Sequence, residues 1–439
     1  MKFYNREKEI KRLKEIQKKS LSNAQFTVMT GRRRIGKTHL LLNAVKEKQT
    51  LYFFVARKAE SFLCQDFQKE IKKKLEIPVI GDSGTFGRLF EQLMEYSKKN
   101  PFNLIIDEFQ EFYHVAPSVY SEIQHYWDVN KNESKINLIV CGSIHSLMHK
   151  IFENSKEPLF GRATQIMKIK PFETNVIKKI LNEHNPSCKN EDILAQYSFT
   201  GGVAKYIQLF IDGQAYTKQG MIDLMIREDS PFLLEGKNML IEEFGKEYAV
   251  YFTILSAIAR GENTRAKIQA MVKREVGGYL TKMERDYNLI SKATPIFAKT
   301  ETKNVRYIID DNFLTFWFRF IYKYSHIIEI AGFDELKKII ERDYSTFSGN
   351  ILERYYRTKL TEEKRFTRIG SYWDRKGETE IDLIAINELE KYAEFIEVKR
   401  NPTQINIEKL REKSYAFMRA TGELKDFNII YRGLSIKDM

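Results

Sequence analysis

Cysteine is scarce: Cys64, Cys141 and Cys188 are the only three in 439 residues. Their odd number and wide spacing exclude a disulfide framework and a thiolate metal site, and suit reduced thiols in a cytoplasmic protein. Glycine and proline are few, 22 and 9, which excludes a collagenous or linker-rich chain. No apolar run reaches the roughly 18 residues of a spanning helix, so no membrane partner is implied. The first residues, Met-Lys-Phe-Tyr-Asn-Arg-Glu-Lys-Glu, mix both charges and lack an apolar stretch, unlike a secretory signal.

What is present supports a multidomain globular chain. The hydrophobic fraction is 43%, enough for real cores, and the length suggests about two to four domains. The net charge is +13, and it is unevenly placed. Residues 1–50 carry 14 Lys/Arg against 4 Asp/Glu, whereas residues 316–439 carry 23 against 21. A basic total alone suggests nucleic acid. Here the concentration near the N-terminus also suits a bound phosphate or a solvated helix face.

Hydrophobic patterning predicts a helix over 5–20, capped by Asn5, then strands at 25–30, 51–56, 103–107 and 136–141, with helices at 39–48 and 86–99 between them. Strands alternating with helices imply parallel βαβ units and an α/β class. Residues 171–225 read as helices. Helices at 248–258, 264–271 and 278–287 precede two short strands, 296–299 and 305–309, around a polar turn. Three helices and a small hairpin make the winged-helix pattern. The aromatic segment 310–322 reads as a packed helix. A helix over 349–360 precedes strands at 381–386 and 393–398.

Gly31-Arg32-Arg33-Arg34-Ile35-Gly36-Lys37-Thr38 fits G-x-x-x-x-G-K-[ST], with a strand before it and a helix after it. The glycines let backbone N–H groups turn toward phosphate oxygens, and the helix N-terminus adds its positive dipole end. Lys37 is placed to reach the β/γ-phosphates of ATP and Thr38 to ligate Mg²⁺. A bare glycine turn before a helix is the plainer alternative. The strand Leu104-Ile105-Ile106 ends in Asp107-Glu108. Asp107 is the expected Mg²⁺ ligand and Glu108 the group that orients or deprotonates the attacking water.

Together with Phe3-Tyr4-Asn5-Arg6-Glu7-Lys8-Glu9, Val140-Cys141-Gly142-Ser143 and Pro158-Leu159-Phe160-Gly161-Arg162, these segments make residues 1–210 resemble the archaeal-type ATPases of the AAA+/STAND group of P-loop NTPases. The resemblance implies that Ser143 is the polar sensor after the fourth strand and that Arg162 is an arginine finger, which in trans would need an oligomer. A surface arginine is the alternative for Arg162. Thr200-Gly201-Gly202-Val203-Ala204-Lys205-Tyr206 resembles the lid motif.

Asp382 opens one C-terminal strand, and Glu397 and Lys399, two apart, share one face of the next. If the strands pair, all three converge, and Glu353 on the preceding helix adds a third carboxylate. Carboxylates bind Mg²⁺, and a lysine can steady a hydroxide attacking a phosphodiester. Residues 315–439 thus resemble the PD-(D/E)XK nuclease superfamily, which implies Glu353, Asp382 and Glu397 as metal ligands and Lys399 as catalytic. Two salt-bridged strands are the alternative.

The combined expectation is a P-loop core over 1–170, a helical lid over 171–240, a winged helix over 241–314 and a nuclease-like domain over 315–439. ATP and Mg²⁺ are the expected cofactors, and duplex DNA a candidate partner through Lys282 and Arg285. With 12 Lys/Arg against 9 Asp/Glu over 241–310, a protein-docking role suits the winged helix equally. The competing function is a nucleotide-gated switch acting on a protein partner, with an inactive nuclease fold.

Overall fold

The computed structural model describes residues 3–45, 49–76 and 84–439, apart from the side chain of Lys246. The chain divides into two compact units, Lys2–Lys170 and Pro171–Met439.

The first unit is built on a five-stranded sheet of β1 (Gln25–Thr30), β2 (Thr50–Phe54), β3 (Phe102–Asp107), β4 (Ile136–Cys141) and β5 (Gln165–Lys168). The order is β2-β3-β4-β1-β5 and every pairing is parallel. Parallel sheets are covered on both faces, so their strands read as near-continuous apolar runs. Accordingly β3 and β4 are buried at every position. All strands end at one edge, and β4 lies between β1 and β3.

A polar row crosses the opposite edge of this sheet. Thr50, Asn103 and Asn137 stand in register on adjacent strands. Asn103 Nδ2 donates to Thr50 Oγ1 at 3.0 Å, while Asn103 Oδ1 accepts from Asn137 and from Gln17, each at 2.9 Å. Gln17 belongs to the helix Glu7–Ser20.

Several expected boundaries shift. The helix after the glycine loop is Lys37–Ala44, and residues 46–48 of the expected helix lie outside the described residues. The first helix begins after Arg6, while Asn5 takes a positive φ of 46°. A helix at Glu60–Leu75 and strand β5 are additions to the sequence reading.

The second unit opens with helices Thr174–His184, Asn190–Thr200, Ala204–Asp212 and Lys218–Met225. Further on, helices Tyr248–Ala259, Arg265–Val272 and Gly277–Arg285 precede the antiparallel pair β6 (Ile290–Ala293) and β7 (Arg306–Ile309). The first strand of this pair therefore lies earlier than 296–299. Ile290 faces Ile309 in register, and both are buried. Ile296 instead gives its N–H to Ser371 O at 2.8 Å. The aromatic segment begins as the helix Asn312–Phe316, capped where Asp311 accepts from the Leu314 N–H at 2.9 Å. It continues through Tyr322 in wider, π-type turns.

The helix Phe333–Glu363 then leads to a second sheet of β8 (Arg368–Trp373), β9 (Glu380–Asn387), β10 (Tyr392–Lys399) and β11 (Asn428–Ser435). Strands β8, β9 and β10 run antiparallel in sequence, and β11 pairs parallel to β10. A parallel neighbour needs a crossover, supplied here by the helix Ile407–Thr421. Its Leu410 and Phe417 pack on Ile384, Ile386 and Phe395 of the sheet. Among the described residues no helix is long and apolar enough to cross a membrane.

Candidate functional site

The glycine loop leaves the C-terminal end of β1 at the edge where β3 and β4 also end. Gly31 has φ +153°, and a Cβ there would meet Ile169 O at 2.8 Å, so the close approach requires glycine. Arg34 and Gly36 also take positive φ, 66° and 95°. Alternating backbone hand of this kind turns successive N–H groups inward to form an anion cradle. Ile35 anchors the loop in the core. Gly36 caps the helix Lys37–Ala44, whose first-turn N–H groups lack carbonyls one turn earlier.

Lys37 is buried, and its ammonium donates to Gly31 O at 2.8 Å and Arg32 O at 3.2 Å. Burial pushes its pKa down, while Cys141, Glu108 and Asp107 oppose that shift. The cation is thus held in the loop with anionic chemistry around it.

Asp107 is the hub of the site. Its Oδ2 accepts from Thr38 Oγ1 and from the Tyr52 hydroxyl, each at 2.7 Å. Its Oδ1 accepts from the Glu108 N–H and the Cys141 thiol, each at 2.9 Å. Burial, reinforced by Asp107, raises the pKa of both Tyr52 and Cys141 and keeps them as donors. A hydroxyl and a carboxylate oxygen side by side form the hard-oxygen donor set that suits Mg²⁺, so the residues present fit that ion.

Glu108 follows in a left-handed conformation, φ 51°. Its Oε2 accepts from Gln110 Nε2 at 2.5 Å and from Ser143 Oγ at 2.8 Å. The structure therefore places Ser143 on the glutamate. Gln110 is fully buried, and a Cβ on Gly142 would come within 2.3 Å of its Oε1, so that glycine makes its room. Tyr52, Gln110 and Cys141 escape sequence reasoning as site residues, because Tyr52 and Cys141 arrive from two other strands and Gln110 from the short turn Phe109–Glu111 after β3. Arg162 pairs with Asp128 at 3.2 Å and donates to Phe160 O at 2.9 Å. These contacts give it no part in the Lys37–Asp107 cluster.

In the second unit Asp382, Glu397 and Lys399 do converge. Lys399 Nζ lies 3.0 Å from Asp382 Oδ2 and 3.9 Å from Glu397 Oε1. The β9–β10 ladder runs to Leu383–Ile396. Beyond it the Val398 N–H turns to Asp382 Oδ2 at 2.8 Å. Glu397 Oε2 accepts from the Asn406 N–H at 2.7 Å. Glu353, on the long helix, has its carboxyl raised to about 8 by burial and then by the Asp382 charge, against the pull of Lys399. Among the described residues no group of three or more His, Cys, Asp or Glu is arranged to hold a metal ion.

On the helix Gly277–Arg285, Leu280 and Met283 are buried, while Lys282 and Arg285 are exposed.

Comparison with known proteins agrees with this geometry. Residues 3–210 match a family described as an ATPase domain predominantly from Archaea. Residues 317–410 match a family described as Archaea bacterial proteins of unknown function. An uncharacterised protein of Methanocaldococcus jannaschii is 31% identical over 453 residues, covering 98% of this chain and 94% of its own. A Walker-type ATPase of Pyrococcus abyssi shares the fold with a TM-score of 0.56 at 20% identity, covering 72% of this chain and 96% of that one. The ORC2 protein of Aeropyrum pernix, solved as ADPNP–ADP complexes, gives a TM-score of 0.48 at 13% identity, covering 78% and 96%. The chain therefore belongs to one family with the Methanocaldococcus protein, and its N-terminal half is a P-loop ATPase domain of the type found predominantly in Archaea.

Proposed function

We propose that the first unit hydrolyses ATP with Mg²⁺, and that this turnover serves a second unit that contacts DNA. The observation that carries the hydrolytic reading is the Thr38–Asp107 contact, which joins the glycine loop to the acidic end of β3 at 2.7 Å. Thr38 and Asp107 would hold Mg²⁺, which on binding supplies charge neutralisation at the β- and γ-phosphates. Lys37 brings a cation to the same oxygens, and the loop amides orient them. Glu108, fixed by Gln110 and Ser143, takes the proton of the attacking water. Arg162 serves as a finger for a neighbouring copy.

Lys37→Ala should lose nucleotide affinity, since its ammonium is the one poised in the loop. Glu108→Gln should keep binding and lose turnover. Nucleotide titration and phosphate release on both variants test the assignment; equal loss of binding in the two would overturn it.

For the second unit, the three helices followed by β6–β7 support a winged-helix reading. The order β11-β10-β9-β8, with helices Phe333–Glu363 and Ile407–Thr421, supports a nuclease-like fold. Lys282 and Arg285 would contact phosphates, and Glu353, Asp382, Glu397 and Lys399 would form the nuclease-like centre. One observation favours the alternative of a nucleotide-gated switch with an inactive fold. Asp382 is already paired with Lys399 and the Val398 amide. Plasmid nicking with Mg²⁺ or Mn²⁺, with and without ATP, separates the two: cleavage that is lost in Asp382→Ala supports the nuclease, and none supports the switch.

A further inference from the structure

A cavity of about 360 Å³ opens between β8 and the connection from β6 to β7. Three cations, Lys292, Arg357 and Arg368, line it, with no carboxylate among the lining side chains. The chain builds this concavity deliberately. Gly370 sits at a register shift in β8, and a Cβ there would come within 3.0 Å of Ile296 Cβ. Glycine thus lets the connection settle onto the strand, where the Ile296 N–H bonds Ser371 O. Phe297 beside it takes φ +62°, a costly conformation for an aromatic residue. Bulges and strained residues of this kind cluster at binding sites.

Lys292 pairs with Glu284 and Arg368 with Glu388, at 2.6 and 3.0 Å, but both cations are more than a third exposed and neither acid lines the cavity. The Arg368–Glu388 pair is exposed on both sides and exchanges at little cost, whereas the Glu284 oxygen that meets Lys292 is buried. Arg357 is half-buried and donates to Ser371 Oγ, which in turn donates to Asp382 O at 2.6 Å. Arg357 and Ser371 thereby connect the cavity to the Asp382–Lys399 centre. The apolar wall comes from Ile296 and Phe297. The volume lies at the small-ligand end of binding sites, roughly 300–1,000 Å³, so it suits one nucleotide and excludes a duplex.

We propose that this cavity binds a nucleotide phosphate ester, either free or at the end of one nucleic-acid strand. The proposal deepens the nucleic-acid reading of the second unit and rests on it for the strand as source.

The test uses the full chain carrying Lys37→Ala, so that the glycine loop does not contribute, in chelator to prevent cleavage. Fluorescence anisotropy is measured with a labelled oligothymidylate bearing or lacking a 5′-phosphate, and AMP is the competitor. Lys292→Gln/Arg368→Gln should weaken binding of the phosphorylated strand about tenfold and flatten the logarithmic salt dependence by about one. The charge-conserving pair Lys292→Arg/Arg368→Lys should restore it, and an unchanged melting temperature checks the fold. Displacement by AMP assigns the phosphate to a free nucleotide, whereas strand binding that AMP does not displace assigns it to a strand end. Strand binding that is equal in the Lys37→Ala parent and the glutamine pair built on it overturns the cavity and leaves the DNA reading standing. No binding of either probe at low salt overturns the cavity as a phosphate site and leaves duplex contact through Lys282 and Arg285 to the plasmid assay.

Discussion

Tyr52 donates its hydroxyl to Asp107 Oδ2 from the neighbouring strand, at the same 2.7 Å as Thr38. One carboxylate oxygen therefore receives two hydroxyls, one from the glycine-loop helix and one from β2. Partners that orient a metal-binding carboxylate typically contribute about 10–100-fold to affinity or activity. Tyr52→Phe should keep ATP binding but raise the Mg²⁺ concentration for half-maximal hydrolysis about tenfold. A Mg²⁺ titration identical to wild type would rule out this positioning role.

Ser143 donates to Glu108, and that contact separates two roles. As a positioning group for Glu108, its loss in Ser143→Ala should lower turnover several-fold while ATP affinity holds, because Gln110 still grips the same oxygen. As a phosphate sensor, its loss should weaken ATP affinity as well. Isothermal titration beside steady-state hydrolysis distinguishes them, and the expected result is the turnover loss alone.

Gly31→Ala should damage the loop directly. The added carbon would face Ile169 O and Ile169 Cβ at 2.8 and 3.2 Å in a conformation that disfavours side chains. The strain is on the order of 1–3 kcal/mol. Both the melting temperature of the first unit and nucleotide affinity should fall. A variant that melts and binds like wild type would show that the turn has another solution.

Glu353 makes the second unit pH-sensitive. Burial, with Asp382 adding, lifts its carboxyl from 4.5 to about 8. The folded unit therefore keeps a proton that the unfolded chain releases near the lower value. That contribution is fully present below 4.5, declines as pH rises, and is spent above about 8. In chelator, the wild-type melting temperature should fall by several degrees from pH 5 to pH 8, and Glu353→Gln should flatten the decline. Parallel slopes would mean that Glu353 ionises normally.

Much of the first site was legible because its chemistry is written in contiguous stretches. The Gly31–Thr38 loop and the run ending at Asp107-Glu108 each combine a local pattern with a strand. The Glu397–Lys399 pairing was legible from the two-residue period of a strand. Strand β5 was not, since only Met167 in it is buried and Gln165 and Lys168 hide the apolar signal. The first strand of the β6–β7 pair was misplaced because Ile296 is apolar for a different reason: it settles against β8. The Lys399 pairing that occupies Asp382 depends on where a ladder ends, which no spacing reveals. Neither does spacing show that Tyr52, Gln110 and Cys141 meet at two adjacent carboxylates.

The row of Thr50, Asn103 and Asn137 acts as a gauge for the far edge of the sheet. Asn103 lies four residues before Asp107 on one straight strand, roughly 13 Å away. A slip of one residue between β2 and β3 would displace Asp107 along its strand by about 3.3 Å and turn its side chain to the opposite face. The slip would also leave buried amides facing hydrocarbon. The penalty for misalignment is thus collected at one end of the sheet, while the alignment it enforces is used at the other. Swapping Asn103 for an aliphatic residue would leave every group at the nucleotide loop in place on paper, yet remove the gauge that sets their depth.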